Sequence, residues 1–179
     1  KRAQYTVECT GHFGLAAKYY CHFTSPIRRY PDLQIHRIIK ETLRGRMNEG
    51  RISHYNGILP EVAAHASQTE RRADEAERDV EKMKKAEYME KHTGECYEGV
   101  ISGITNWGFY VELANTIEGM VHVANLYDDR YYYREESFDM VGADTGRVYK
   151  LGQKVKIRVL GADKRSSEIN FEMAEEGEE

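Results

Sequence analysis

The chain has little of what would place it in several large classes. Only three of its 179 residues are proline and three are cysteine, and no apolar run approaches the roughly 20 residues that cross a bilayer. The N-terminus lacks the apolar segment of a secretory signal, so a soluble chain located in the cytoplasm and without membrane contact is expected. Cys9, Cys21 and Cys96 are odd in number, far apart and free of CxxC spacing, which argues for free thiols and against a zinc site. The histidines make no HxxxH pair with a third ligand nearby, and no Walker loop, dinucleotide fingerprint or nucleophile elbow is present. Positive charge is also short. With 26 Lys and Arg against 30 Asp and Glu, the net charge of −4 argues against a generic nucleic-acid binder.

Where the charge lies is more informative than its sum. Residues 1–92 carry 17 basic against 13 acidic side chains, and residues 93–179 carry 9 against 17. The basic half contains the run His22-Phe-Thr-Ser-Pro-Ile-Arg-Arg-Tyr-Pro-Asp-Leu33, in which Arg28 and Arg29 stand between Pro26 and Pro31. Two adjacent guanidiniums on a proline-stiffened loop suit a phosphate. The plainer alternative for such a pair is an ion pair with a carboxylate such as Asp32.

Pro31 and Asp32 fit the first turn of a helix, and Leu33, Ile35, Ile38, Ile39 and Leu43 carry its apolar face to about Arg44. The stretch Gly45 to Gly57 has turn chemistry and is expected to be a loop. Pro60 is expected to open a second helical region. There Ala66, Thr69, Ala73, Ala76, Val80 and Met83 recur at helical spacing, with Ser67 as the cap of an internal break, and the helix ends near His92. Tyr5 to Cys9 reads as a strand. From Gly94 the period changes to that of strands: Cys96 to Thr105, Trp107 to Leu113, Ile117 to Val123, Lys154 to Asp163 and Ile169 to Met173. Five short strands in this length suggest a small closed barrel. The tyrosine-rich stretch between the third and fourth is expected to pack onto the barrel as a long loop.

The words GHFGLA, HFTSPIRRYPDL and ERRADEAERDV (Glu70 to Val80) closely resemble the end of the catalytic domain in the ribonuclease R and ribonuclease II family, called RNB. The order GVISGI, NWGFYVEL, EGMVHVANL, LGQKVKIRVLGAD, INFEM resembles the S1-type RNA-binding domain, an OB-fold, and YYY with YKLG resembles its ribonuclease R version. The implied fold class is α+β: residues 1–92 as the helical C-terminal portion of an RNB catalytic domain, residues 93–173 as a five-stranded S1-type barrel, and residues 174–179 as an acidic tail. A start at Lys1, with no initiator methionine, looks like a cut through a larger protein.

The resemblance also implies roles. Arg28 takes the place of the family arginine that contacts the RNA phosphate near the scissile bond, with Arg29 beside it, and Glu77 takes that of a glutamate facing the active site. The first and last residues of the FGxF word, which stack on bases, correspond to Trp107 and Tyr110, and the histidine of VHIS corresponds to His122. Phe109, between the two rings, alternates inward. The arginine often found before the last strand is replaced here by Ser167-Glu168, so Lys164 and Arg165 are the expected phosphate contacts. The family reaction hydrolyses RNA from its 3' end to nucleoside 5'-monophosphates with Mg2+ held by an aspartate cluster of the DxxDAxDxDDA type, and no such segment occurs in this chain. The expected partners are therefore single-stranded RNA and a missing N-terminal part of the same protein, with Mg2+ in the whole enzyme and no metal held by this fragment. A fragment alone is expected to be inactive. The alternative is a non-catalytic RNA-binding or adaptor module.

Overall fold

The computed structural model describes residues 4–174. The acidic tail read from the sequence lies outside them except for Ala174. Two compact units divide between Ala76 and Glu77.

The first unit has little apolar core. Tyr5 to Cys9, expected as a strand, is irregular. A short hairpin follows, closed by reciprocal backbone hydrogen bonds between His12 and Ala17 (2.8 and 3.1 Å). Helix α1 spans Tyr30–Leu43, with Pro31 in the first turn, where its missing N–H leaves no bond unmade, and Asp32 at the positive end of the dipole.

Helix α2 spans Glu49–Met89 without interruption, and this corrects three expectations. Residues 49–57 are helical, Pro60 lies inside the helix, and Ser67 caps no break. The start is set by Asn48, whose side-chain oxygen accepts the Arg51 N–H at 3.0 Å while its carbonyl accepts that of Ile52 at 2.9 Å. Arg51 then bonds both oxygens of Glu41 in α1 (2.8 and 2.5 Å) and covers the Tyr55 ring at 5.0 Å. Such tertiary contacts offset the roughly 1 kcal/mol that each of Gly50 and Gly57 takes from a helix. At Pro60 the carbonyl of Asn56 loses its helical donor, a local defect within a 41-residue helix. The Ser67 hydroxyl donates to the Ala63 carbonyl (2.9 Å) and accepts the Tyr5 N–H (2.9 Å), fastening the leading segment to the helix.

The second unit contains the last turns of α2 and eight strands: β1 Cys96–Thr105, β2 Gly108–Leu113, β3 Glu118–His122, β4 Tyr131–Arg134, β5 Asp139–Gly142, β6 Val148–Lys150, β7 Lys154–Asp163 and β8 Glu168–Met173. Five of them close a barrel in the order β1-β2-β3-β8-β7, antiparallel except for the β3–β8 pair. This is the expected OB-type closure. Inward positions alternate along each strand, and Ile101, Phe109, Val111, Val121, Ile157, Val159 and Phe171 are buried at the centre. Ala86 and Met89 of α2, both fully buried, join this core, which is why the unit begins well before β1.

The stretch between β3 and β7 is a sheet, not a loop. Strands β4, β5 and β6 form it in antiparallel order. The ring of Tyr149 in β6 packs at a tilt against those of Phe109 and Tyr131, with centroids 4.8 and 5.4 Å away, so the tyrosines fix this sheet to the barrel core. Across the β4–β5 hairpin, the Arg134 guanidinium makes two bonds to buried Asp139 (2.8 and 2.7 Å). Chiefly through that contact, and next through the Ser137 hydroxyl, the Asp139 carboxyl is held down to about 2.

Candidate nucleic-acid interface

Strand β2 starts where only glycine fits. Gly108 has φ 144°, and a Cβ there would fall on the carbonyl oxygen of Val121 in β3. The close approach of β2 to β3 leaves Trp107 on the preceding turn, its N–H donating to Thr105 Oγ1 (3.3 Å) and its carbonyl accepting the Val123 N–H (2.8 Å). The backbone is thus held while the indole is 69% exposed. Phe109, next in β2 after Gly108, is fully buried, and Tyr110 emerges again at 36%. Tyr110 pairs with Gly103 of β1, whose lack of a side chain leaves room beside the ring. His122 pairs with Gly108 across β2 and β3 and is half-buried. Its Nδ1 accepts the Ala124 N–H at 3.1 Å, which puts the ring proton on Nε2. Tyr110 and His122 thus lie on one face of the β2–β3 pair, with the open Trp107 ring on the turn that leads into β2, and together they offer two rings able to stack bases and one N–H able to donate a hydrogen bond.

The cations near the last strand behave differently from each other. Lys164 is engaged: its ammonium ion-pairs with Glu87 of α2 and its backbone N–H donates to Glu90 at 2.8 Å. Its charge serves the join between α2 and the β7–β8 turn, not the phosphate contact expected. Arg165 is exposed, with its backbone N–H on Asp163 (2.7 Å).

In the first unit the arginine pair is split. The backbone N–H groups of Arg28 and Arg29 both donate to the Ser25 carbonyl (3.2 and 2.9 Å). Asp32, fully buried, reaches back from α1 so that Oδ2 accepts the Ser25 N–H (2.8 Å) and an Arg29 guanidinium N–H (2.9 Å). Arg29 also meets His22 Nδ1 at 3.1 Å, and the Tyr5 hydroxyl meets the same nitrogen at 3.1 Å. Burial, and next the hydrogen bond that it donates to Glu70, push the Tyr5 hydroxyl well above its ordinary value. Arg29, expected at the RNA, is therefore committed to an internal network. Arg28 is exposed and its guanidinium has no partner among the described residues. Neither arginine lines the neighbouring cavity of about 450 Å³, which is walled by Tyr5, Cys9, His12, Cys21, His22 and Ile35 among others.

Glu77 is exposed on α2 and belongs to the second unit, Arg28 to the first. Among the described residues no group of three or more His, Cys, Asp or Glu is arranged to hold a metal ion, so the carboxylates present do not fit the Mg2+ of the family reaction. Among the described residues no helix is long and apolar enough to cross a membrane. The Arg29–Asp32 pair is the plainer alternative that the sequence left open, whereas Tyr5 and His22 carry no sequence signal, because they become neighbours of that pair only when the leading segment folds onto the helices.

Residues 1–45 match the RNB domain family and residues 90–174 the S1 RNA binding domain family. The sequence is 49% identical over 172 residues to ribonuclease R 1 of Lactococcus lactis subsp. lactis, covering 96% of this chain and 21% of that protein. Identity is 46% over 182 residues to ribonuclease R of Thermotoga maritima (100% and 26%) and 41% over 181 residues to that of Escherichia coli (97% and 22%). The chain thus spans about a quarter of the length of the curated relatives it matches. Among solved structures, Mycoplasma genitalium RNase R superposes with a TM-score of 0.88 at 26% identity, both as the apo form and in complex with ribose methylated single-stranded RNA, over 97% of this chain and 28% of that one.

Proposed function

We propose, on the premise that this chain is a segment of a ribonuclease R-family protein, that it is the RNA-handling part of a hydrolytic 3'-to-5' exoribonuclease releasing nucleoside 5'-monophosphates. The observation that carries the reading is the contrast within Trp107-Gly108-Phe109-Tyr110, where Phe109 is fully buried while Tyr110 on β2 and Trp107 on the turn before it are open. An indole left 69% exposed on a turn whose backbone is held from both sides suits a ligand with flat faces, and every nucleobase has one. A relative of the same fold was solved with single-stranded RNA, and that ligand class suits these rings.

In this reading the S1-type barrel binds single-stranded RNA through Trp107, Tyr110 and His122, with Arg165 as the backbone contact at the rim. Arg28 holds a phosphate near the scissile bond, where its fixed charge stabilises the negative charge that develops during transfer to water. Glu77 faces the same reaction in the whole protein. The divalent ion of the reaction belongs to carboxylates outside this chain, so the chain alone binds RNA and does not hydrolyse it. The barrel and the helical end of the catalytic domain, residues 93–173 and 1–92, are the two working parts, and the cytoplasm is the compartment.

Turnover of a single-stranded oligonucleotide by the full-length protein carrying Arg28→Ala tests the enzymatic half. A fall of 10²-fold or more, on the order seen when one charge-stabilising donor is removed, is expected. Turnover at the parental rate removes Arg28 from the reaction. A full-length protein that binds RNA and releases no mononucleotides is the binding module instead.

A further inference from the structure

The two guanidiniums of the arginine pair face opposite ways, and one buried carboxylate is responsible. We infer that Asp32 is a positioning residue for Arg28: it closes the Ser25–Arg29 turn from inside and so presents the Arg28 side chain outward. The inference rests on the reading of Arg28 as the phosphate contact.

Asp32 is fully buried in the first turn of α1, and its Oδ2 takes one bond from the Ser25 N–H (2.8 Å) and one from Arg29 (2.9 Å). Those two donors are the two ends of the turn that carries Arg28. The turn is closed a second time by its own backbone, since the N–H groups of residues 28 and 29 both reach the Ser25 carbonyl. Pro26 adds a fixed φ within it. Arg29 is held at its far side as well, by His22 Nδ1 at 3.1 Å. With both flanks fixed, Arg28 and Ile27 stand at the outer side of the turn, Arg28 exposed and Ile27 fully so.

The network is poorly suited to a purely stabilising role. Arg29 Nε and Asp32 Oδ1 are buried and have no hydrogen-bond partner among the described residues. A buried ion pair with unsatisfied atoms contributes little net stability, and apolar replacements of similar volume are often neutral or better. What carboxylate geometry does supply is two simultaneous acceptor directions, toward a backbone N–H and a guanidinium. An apolar residue holds neither.

The test is a double-mutant cycle in the full-length protein, measuring kcat and KM on a single-stranded oligoribonucleotide for the parent, Asp32→Asn, Arg28→Ala and the two combined. Asp32→Asn is expected to lower kcat at least tenfold, and to lower it no further in the Arg28→Ala background, because the group it positions is already gone. The paired variant Arg29→Met/Asp32→Leu, which removes both buried charges together, is expected to show the same loss while the protein remains folded. Losses that multiply when Asp32→Asn and Arg28→Ala are combined, or parental kcat in either lock variant, overturn the positioning role while leaving Arg28 as the phosphate contact. Parental turnover in Arg28→Ala itself instead defeats the phosphate reading and this inference with it.

Discussion

The carboxylate of Glu87 takes the ammonium of Lys164, and the backbone N–H of that lysine donates to Glu90 at 2.8 Å. One residue of the β7–β8 turn is thus bonded both to the last turn of α2 and to the residue that follows that helix. The Glu87 carboxyl, ordinarily near 4.5, is held down to about 2, first by Lys164 and next by Lys84. A carboxyl depressed by folding stabilises the native state in full above its unfolded value and loses that contribution as pH falls through the folded one. Stability of the barrel unit should therefore decline between about pH 4.5 and 2 through this group. Lys164→Met is expected to flatten that part of the acid-unfolding curve, followed by circular dichroism, and to leave RNA affinity close to parental. A parental curve shape would show that the pair is not coupled to folding.

Phe109 and Trp107 should separate stability from binding. Phe109→Ala empties the barrel centre and is expected to lower unfolding free energy by about 3–5 kcal/mol. Trp107→Ala removes a side chain already in water, and its denaturation midpoint should stay within about 0.5 kcal/mol of the parent. Urea titration of both variants makes the comparison, and equal losses would contradict the assignment of one ring to the core and the other to the surface.

For the open rings, Trp107→Ala and Tyr110→Ala are each expected to weaken binding of a single-stranded oligonucleotide by about 1–3 kcal/mol. Fluorescence anisotropy of a labelled oligonucleotide at low salt measures it. The barrel half carries few cations, so binding should fall away quickly as salt rises.

Gly108→Ala tests how the platform is built. At φ 144° an L side chain is strained, and the added methyl meets the Val121 carbonyl. Loss of both thermal stability and RNA affinity is expected, since the β2–β3 contact must open to admit the methyl. A neutral outcome in either would show that the close approach is dispensable.

The barrel was legible in the sequence because half-buried strands carry a period of two, and the expected segments agree with β1, β2, β3, β7 and β8 to within about a residue at most ends. The sheet β4–β6 was not legible. Its strands are three or four residues long, and its central member Asp139–Gly142 is buried along its whole length, which erases alternation. In α2, Gly50, Gly57 and Pro60 are true local signals for a break, outweighed by the Asn48 cap, itself a local signal, and by the Arg51–Glu41 contact, which cannot be known before α1 and α2 meet. Likewise the motif HFTSPIRRYPDL announces two arginines for a phosphate, yet only the burial of Asp32 reveals that Arg29 turns inward and Arg28 outward. The Lys164–Glu87 pair is hidden from sequence for a similar reason: its partners stand 77 residues apart in the chain.

Trp107 is the single tryptophan of the chain, so intrinsic fluorescence reports on the proposed platform alone. Titration of this chain with a single-stranded oligoribonucleotide at low salt, excited at the indole band, is the most direct measurement. Saturable quenching that is reversed by added salt is the expected result, because a base stacked on the indole changes its surroundings while a phosphate-only contact elsewhere does not. Emission that stays unchanged while anisotropy shows the oligonucleotide bound would contradict the base-stacking role of the barrel face.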